Sequence, residues 1–369
     1  MRVLFLVPYP IEGASNRYRV EQYLPYLKRE GVKSCLHPFW GSRAYKILYK
    51  DGYYLQKFFF FICATISRIF DILGIFRYDI VFIHREAYPI GGAFFETIIS
   101  MLGKPIIFDF DDAIFLPASS RPNNFIERFK NPNKVASIIK RSKYVISGNS
   151  FLADFALRYN RSVVVIPTPI DTDKYCPDTR NRQDKIVIGW IGSATTFDFL
   201  KPMSDTFTRL SKQFSGIKFK IVGGDFSIDG LSNIISKPWF LDEEIEDLKG
   251  FDIGIMPMPD NDWNRGKCGF KAILYMSMGI PCVCSPVGIN KEIIIDGVNG
   301  FLANSEEEWI EKLSRLIKDP ELRRRLGEAG RSTVIDKYSL KANAPKYLDI
   351  LRKAYGRNYH GACTERQRK

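Results

Sequence analysis

Short apolar runs alternate with amphipathic, helix-like segments along nearly the whole chain. A first series of five apolar runs predicts buried strands, and a second series of four follows after a polar stretch. Continuous apolar strands separated by helices are typical of parallel sheets that are covered on both faces. The first series lies at 2–7, 78–83, 104–110, 144–147 and 163–167, and the second at 185–192, 218–224, 251–257 and 281–285.

The polar stretch between the two series marks a boundary. Residues 168–184 are rich in Asp, Pro, Thr and Arg and have no apolar periodicity, which is typical of a linker. We therefore predict two doubly wound α/β domains facing across a cleft, the first over 1–175 and the second over 176–338. Residues 339–369 are expected to form a last helix packed back across the first domain, followed by a basic tail.

The helices after the second series carry recognisable start signals. Ser305 with Glu308 three positions later forms a capping box. Asp319 followed by Pro320 starts the next helix, and Gly327 is a candidate for its end.

Residues 53–73 form the most apolar helical pattern of the chain. Lys57, Arg68 and Asp71 fall near one helical face, and almost every other residue is apolar. Such a broad apolar face suits a helix buried in the first domain or one lying on a membrane surface. The buried interpretation is favoured, because a doubly wound domain needs helices to cover its sheet.

Composition narrows the class of protein. The chain has 369 residues, 45% of them hydrophobic and 26% charged, as in a soluble protein of two domains. No run reaches the roughly 20 apolar residues that span a bilayer. The start, MRVLFLVPYP, is better interpreted as a buried strand than as a signal peptide, because Pro8 interrupts the apolar run. We therefore expect a cytoplasmic protein.

Charge and cysteine content restrict the partners. The net charge of +13 permits nucleic acid, an anionic membrane face or a phosphorylated substrate. Nucleic acid is disfavoured, because no zinc finger, RNA-binding sheet motif or basic zipper is visible. The seven scattered cysteines fit a reducing compartment. Cys282 and Cys284 are interpreted as buried core residues rather than metal ligands, because no zinc-site spacing surrounds them.

The loops after the first strands carry candidate site residues, because ligands of open parallel sheets bind beyond the carboxyl ends of the strands. Gly13 and Ser15 can bring backbone N–H groups close to a ligand. Arg17 and Arg19 follow at the start of a helix, where phosphate binds, although a plain loop with solvated arginines is an equal alternative. His84, at the end of the next strand, could hold or move a proton, or be structural.

The sequence DFDD, at 109–112, follows KPIIF at the end of the predicted strand 104–110 and contains Asp109, Asp111 and Asp112. A DxD pattern can chelate a divalent metal that holds a diphosphate. Alternatively, one carboxylate accepts a proton from a hydroxyl, pairs with an arginine, or caps a helix.

The loops of the second series predict an anion site. Gly192 and Ser193 lie between a strand and a helix, although the G-x-G-x-x-G pattern and a P-loop lysine are missing. Gly224, in IVGGD, allows close approach of a flat ligand such as a base. Lys267 and Lys271 flank the predicted N-terminus of the helix FKAILYMSM, where free N–H groups and two positive charges suit a diphosphate.

Two stretches resemble a known family. Residues 266–331, GKCGFKAIL through GEAGR, resemble the donor-binding half of the family 4 retaining glycosyltransferases, also called glycosyl transferases group 1. Residues 166–177, IPTPIDTDKYCP, resemble the interdomain segment of that family, and the likeness runs from about 185 to 339. The resemblance implies a GT-B fold of two Rossmann-like domains, with a nucleotide sugar bound mainly by the second and an acceptor by the first. It also implies retention of anomeric configuration and no metal requirement.

The resemblance is carried over residue by residue. The Glu-x7-Glu motif of the family falls on Gly266 and Leu274, and neither is a glutamate. Glu292, in GINKEII, matches the glutamate of the family's G-x-P-E loop and is the candidate substitute. The catalytic residues implied are His84, which matches the family histidine that reaches sugar or acceptor, with Asp111 and Asp112. Donor binding is predicted for Gly13, Ser15, Arg17, Gly192, Ser193, Gly224, Lys267, Gly269, Phe270, Lys271, Val287, Gly288 and Glu292.

The expected activity is sugar transfer from a nucleotide sugar to a glycan or lipid-linked acceptor in polysaccharide or glycolipid synthesis. No cofactor or metal is expected, and an anionic membrane surface on the cytoplasmic side is a further candidate partner. Two alternatives share the fold: a non-catalytic nucleotide-sugar-binding relative and a nucleotide-sugar epimerase. A nicotinamide oxidoreductase is disfavoured, because no G-x-G-x-x-G follows the first strand.

Overall fold

The structure is a computed structural model that describes residues 1–116, 131, 133–177, 185–192 and 194–356. The chain divides into two compact units. The first contains Met1–Pro167 and the chain from Asn343 onward, and the second is Thr168–Ala342. Each unit is built on a six-stranded sheet. All strand pairs in both sheets are parallel, which confirms the predicted doubly wound α/β class.

The sheet of the first unit has the strand order β2-β1-β3-β4-β5-β6. Its strands are β1 (Arg2–Val7), β2 (Lys33–Pro38), β3 (Ile80–His84), β4 (Ile106–Phe110), β5 (Tyr144–Ser147) and β6 (Val163–Val165). Its helices are α1 (Ala14–Arg19), α2 (Leu24–Arg29), α3 (Ser42–Leu48), α4 (Tyr54–Leu73), α5 (Phe94–Met101), α6 (Lys134–Arg141) and α7 (Ser150–Leu157). The strand register places His84 of β3 beside Asp109 of β4.

The sheet of the second unit has the order β12-β11-β10-β7-β8-β9. Its strands are β7 (Ile186–Ile191), β8 (Ile217–Val222), β9 (Ile234–Lys237), β10 (Ile253–Met256), β11 (Cys282–Cys284) and β12 (Phe301–Leu302). Its helices are α8 (Ser204–Gln213), α9 (Glu244–Lys249), α10 (Asp262–Arg265), α11 (Phe270–Ser277), α12 (Asn290–Ile293), α13 (Glu306–Lys318) and α14 (Pro320–Thr333). The last helix, α15 (Leu340–Tyr355), begins in the second unit and continues in the first, where Tyr347 stacks on Tyr23 at 4.1 Å between ring centroids.

All nine predicted strands are present, and the sequence pattern missed three more. The missed strands β2, β9 and β12 lie at sheet edges. Edge strands are covered on fewer sides, so their sequences need not be continuously apolar. The sequence of β2, KSCLHP, accordingly contains no fully buried residue.

The capping box of α13 is confirmed. The Ser305 side chain accepts from the backbone N–H of Glu308, and the Glu308 side chain accepts from the backbone N–H of Ser305. The expected helix end at Gly327 is wrong. Helix α14 runs on to Thr333, and a Cβ at Gly327 would lie 2.1 Å from the carbonyl oxygen of Gly279. This glycine therefore allows close packing of the helix on a neighbouring turn instead of ending the helix.

The prediction that the helix at 53–73 is buried is also wrong. Most apolar side chains of α4 are exposed, among them Leu55 at 86% and Phe58 at 64%. The buried residues of α4 are instead Arg68, Asp71 and Ile72. Arg68 donates to Asp71 at 2.9 Å, so the two charges satisfy each other inside the unit. The periodicity of the sequence did not indicate which face of α4 is buried, because apolar residues lie on both faces.

Gly189, in the middle of β7, is required by packing. A Cβ at this position would lie 2.1–2.3 Å from ring atoms of Phe251. We expect Gly189→Ala to lower the free energy of unfolding by about 1–3 kcal/mol or more, because the ring cannot move away without disturbing the core. The matched control is Gly216→Ala, where a Cβ meets no atom within 4 Å. Equal urea midpoints for the two variants would contradict this account.

Candidate active site

Charged side chains converge at the carboxyl ends of β1, β3 and β4 in the first unit. The central residue is His84, which is fully buried. Its Nδ1 lies 2.7 Å from Oδ2 of Asp109, and its Nε2 lies 2.7 Å from Oγ of Ser15. Ser15 also donates to Oδ2 of Asp111 at 2.6 Å. We call the following residues the His84 cluster: Ser15, Arg19, His84, Arg85, Asp109, Asp111 and Asp112.

Two arginines neutralise the carboxylates of this cluster. Arg19, which is 1% exposed, forms an ion pair with Asp109 and donates to the carbonyl of Ile166 at 2.6 Å. Arg85 donates from Nε to Asp111 at 2.8 Å and forms an ion pair with Asp112. Of the four roles left open for the DFDD sequence, the structure thus contains the pairing with arginine.

Arg85 has an unusual backbone conformation. Its φ of +61° lies in the left-handed region, which long side chains rarely adopt. The backbone N–H of Arg85 donates to the carbonyl of Asp109 at 2.7 Å, which stabilises the turn directly after β3. Strained conformations of this kind are concentrated at functional sites. Arg85 was not predicted from the sequence, although its position directly after His84 was an available signal.

Asp111 remains ionised in this environment. Its burial alone would raise the pKa, but the positive charges of Arg85, His84 and Arg19 and the Ser15 hydrogen bond hold it well below the usual range. An ionised carboxylate can only accept hydrogen bonds.

The ring of His84 bridges Ser15 and Asp109. Ser15 has a single hydroxyl proton, which it donates to Oδ2 of Asp111. Asp109, paired with Arg19, lies at Nδ1 of the ring. His84 therefore connects the half-buried serine with the buried ion pair.

Only part of the His84 cluster faces solvent. The side chains of Asp112 and Arg85 are 23% and 18% exposed, and Ser15 is half-buried. A hydroxyl, a guanidinium and a carboxylate at one surface can bind the hydroxyl groups of a sugar, since carboxylates accept from O–H and guanidinium groups donate.

The other two residues predicted in this region lie beside tyrosines. A Cβ at Gly13 would lie 2.6 Å from Cβ of Tyr9, so the loop after β1 requires a glycine there. Arg17 is 7% exposed, and its guanidinium carbon lies 4.6 Å from the ring centroid of Tyr18. The predicted role of Arg17 in donor binding stays a prediction.

In the second unit, glycines and a lysine lie together at the carboxyl ends of β7 and β8. Gly192 follows β7, and a Cβ there would lie 2.9 Å from Cε of Lys271. Gly223, with φ +137°, lies against Gly192, and Gly224 lies next along the chain. Lys271, in the first turn of α11, has its Nζ 5.3 Å from the Trp190 ring centroid. The same Nζ lies 3.3 Å from Oγ1 of Thr196.

The N-terminus of α11 is closely packed by neighbouring loops. Gly269 is its N-cap in the left-handed conformation, with φ +63°, and a Cβ would collide with Ile293 of α12 at 2.4 Å. Gly288, with φ +53°, lies against the backbone of Arg265, so the loop after β11 reaches the segment that precedes α11. We call these residues the α11 cluster: Gly192, Gly224, Gly269, Lys271 and Gly288.

The remaining predicted donor residues lie around this cluster. Lys267 and Phe270 are half-buried, Val287 is buried, and Glu292 is exposed on α12. Ser193 lies outside the described residues. Leu274, on which the resemblance places one glutamate of the family motif, is 4% exposed and belongs to the core.

The described residues contain no group of three or more His, Cys, Asp or Glu side chains that could hold a metal ion. Cys282 and Cys284 are buried in β11, as predicted. A hydrogen bond with Cys282, together with burial, raises the pKa of the Cys284 thiol well above its usual value. A protonated thiol is a poor metal ligand.

The two parallel-sheet α/β units define the GT-B fold of glycosyltransferases. The structure matches that of a glycosyltransferase from Rickettsia africae with a TM-score of 0.68 at 18% identity, covering 96% of this chain and 98% of that one. The Anabaena protein HepE, in a complex with UDP-glucose, also gives a TM-score of 0.68, at 13% identity over 96% and 100% of the two chains. At such identities the likeness establishes the fold alone.

Sequence comparison adds a family match within the second unit. Residues 185–319 match the family model of the glycosyl transferases group 1. A stretch of 76 residues is 34% identical to the trehalose synthase of Pyrococcus horikoshii, covering 21% of this chain and 18% of that protein. The chain thus matches under a fifth of that relative's length. The family match thus covers 135 of the 369 residues, all within the second unit. Among the described residues, no helix is both long and apolar enough to cross a membrane.

Proposed function

We propose that the protein transfers a sugar from a nucleotide-sugar donor to a glycan or lipid-linked acceptor, with retention of anomeric configuration. The observation that carries this proposal is the α11 cluster. This cluster combines the charge of a lysine, the first turn of a helix and glycines that leave the backbone accessible. It lies at the carboxyl ends of the strands, where open parallel sheets bind ligands. This combination suits the diphosphate of a nucleotide sugar.

Lys271 has the central role in the proposed reaction. Its position in the first turn of α11 adds a full charge to the partial positive charge of the helix end. As the bond between sugar and diphosphate breaks, negative charge grows on the leaving phosphate. A preorganised cation stabilises that charge more in the transition state than in the ground state. Lys267, two residues before the N-cap, provides a second charge, and no metal or other cofactor is part of the proposal.

The His84 cluster is proposed to bind sugar hydroxyls. Ser15, Arg85 and Asp112 form its solvent-facing part. His84 touches no solvent, so we assign it as a positioning residue that holds Ser15 and Asp111 in place. Glu292, exposed on α12, is the proposed replacement for the missing family glutamates.

The biological setting is part of the same proposal. We assign the protein to polysaccharide or glycolipid synthesis on the cytoplasmic side, with an anionic membrane surface as partner and no role for nucleic acid. HepE, which shares the fold, was solved in a complex with UDP-glucose, and this supports a nucleotide-sugar substrate here.

One alternative is favoured by a specific observation. Leu274 and Gly266 replace the glutamates of the family motif, which would fit a protein that binds a nucleotide sugar without transferring it. Product analysis separates the two functions, since a binder releases no transferred sugar.

The test is thermal unfolding with UDP-, GDP- and dTDP-sugars in the presence of EDTA, with NAD as control. A ligand at a hundred times its dissociation constant should add roughly 2.7 kcal/mol of stability. We expect one nucleotide class to raise the melting temperature despite EDTA. Stabilisation by NAD alone, or by no nucleotide sugar, would overturn the proposal. NMR of the product's anomeric proton then tests retention.

A further inference from the structure

Helix α4 presents a continuous apolar stripe to solvent. Its residues recur at intervals of three and four, so they lie on one side of the helix. All are at least 40% exposed, and a helix of 20 residues is about 30 Å long. We call the following residues the α4 face: Leu55, Phe58, Ile62, Ile66, Ile69 and Leu73.

No charge interrupts the α4 face. Helix α4 has three charged residues, Lys57, Arg68 and Asp71. Arg68 and Asp71 are buried on the opposite side, where Asp71 also forms an ion pair with His37 of β2. Lys57 points back, and its Nζ donates to the carbonyl of Lys50. Two of the three charged residues of the helix thus lie inside, and the α4 face lies outside, the reverse of an ordinary surface helix.

Positive charges lie at both ends of the α4 face. Between residues 41 and 104 the exposed charged side chains are four cations and a single anion, Asp51. Near the C-terminal end, Nζ of Lys104 also lies 5.5 Å from the ring centroid of Phe76, which is 68% exposed. The four exposed cations are Arg43, Lys46 and Lys50, which precede α4, and Arg77, which follows it.

We infer that the α4 face docks the protein on an anionic lipid surface, with the helix lying in the plane of the interface. The apolar stripe enters the boundary between headgroups and acyl chains, and the flanking cations contact lipid phosphates. Pairing of two copies through this face is disfavoured, because it would bring the cations of both copies together without added anions. The inference rests on the proposed function in one respect: an enzyme whose acceptor is anchored in lipid must work at the membrane.

The experiment is vesicle flotation of the full chain without nucleotide sugar. We compare vesicles of phosphatidylcholine alone with vesicles that contain about one third phosphatidylglycerol. The protein is expected to float with the anionic vesicles. Ile62→Glu combined with Ile66→Glu is expected to reduce the bound fraction at least about tenfold, because two carboxylates enter the middle of the stripe. Both side chains are exposed, at 40% and 49%, so the fold should tolerate the change.

The matched control introduces the same charges elsewhere. Leu157 and Ile235 are 52% and 47% exposed, and Leu157→Glu with Ile235→Glu should leave flotation unchanged. A separate variant, Lys46→Ser with Lys50→Ser, should weaken binding to anionic vesicles only. Equal flotation of both glutamate variants, or no flotation of the unmodified protein, would overturn the inference.

Light scattering without vesicles tests the alternative, which is pairing of two copies through the α4 face. A dimer that Ile62→Glu with Ile66→Glu converts to a monomer would assign the face to self-association and overturn docking to lipid. Donor binding in the melting assay is independent of flotation, so a failure of lipid docking is distinguishable from a failure of the proposed transfer.

Discussion

Replacing His84 with alanine is expected to lower kcat for sugar transfer by about 10²–10³-fold, with little change in the affinity for nucleotide sugar. The ring of His84 contacts Ser15 through Nε2 and Asp109 through Nδ1, both at 2.7 Å. Without the ring, Ser15 loses a partner that fixes its hydroxyl, and Asp109 keeps only its contact with Arg19. The expected loss therefore falls on kcat rather than on the donor KM.

Two further measurements separate positioning from simple damage to the fold. Ser15→Ala removes only the hydroxyl and keeps the charge balance, so its loss of kcat should be smaller, about tenfold. Nitrogen NMR should show a change at the ring nitrogens of His84 between the unmodified protein and Ser15→Ala, because Ser15 contacts Nε2. If His84→Ala does not fold, His84→Gln, which keeps one donor, takes its place in the kinetics. Identical ring-nitrogen shifts in these two proteins, or an unchanged kcat of His84→Ala, would refute the assignment.

Lys271→Met is expected to weaken binding of the nucleotide sugar by about 10- to 100-fold, since a hydrogen bond to a charged group contributes about 1.5–3 kcal/mol. Methionine keeps most of the side-chain length and the packing on Trp190 but removes the charge. Calorimetric titration of both proteins with the same nucleotide sugar measures the difference.

The control for this variant is Lys212→Met, an exposed lysine of α8. It should bind the nucleotide sugar like the unmodified protein. A nucleoside without phosphate should bind equally to the Lys271→Met protein and to the unmodified one, because the proposed contact is to the diphosphate. A Lys271→Met protein with unchanged affinity for the full donor would remove this lysine from the site.

The order of strands in the sequence was sufficient to predict two doubly wound units, because central parallel strands are buried on both faces and must be continuously apolar. The N-terminus of α11 was predictable for a similar local reason. Gly269 precedes Phe270 at the helix start, and its left-handed φ is a conformation that glycine adopts without strain. The candidate donor site therefore follows in large part from local sequence.

The His84 cluster was only partly predictable. His84 and Asp111 were recognised because both follow strand ends, where ligands of such sheets bind. The partners Arg19 and Asp109 are separated by 90 residues, and their pairing depends on the order in which β1, β3 and β4 lie in the sheet. The left-handed turn at Arg85 has no sequence signal of its own.

The sequence by itself determined the class of fold, the positions of nine strands and the places where loops could bind an anion, since these depend on periodicity and on residues close in the chain. Only the tertiary structure decided which side of α4 is exposed and which charges neutralise each other. A helix with apolar residues on both sides can pack either way, and the ion pair between Arg68 and Asp71 with its His37 partner exists only once α4 lies against β2. Contacts between distant segments are decided by packing, which no local pattern encodes.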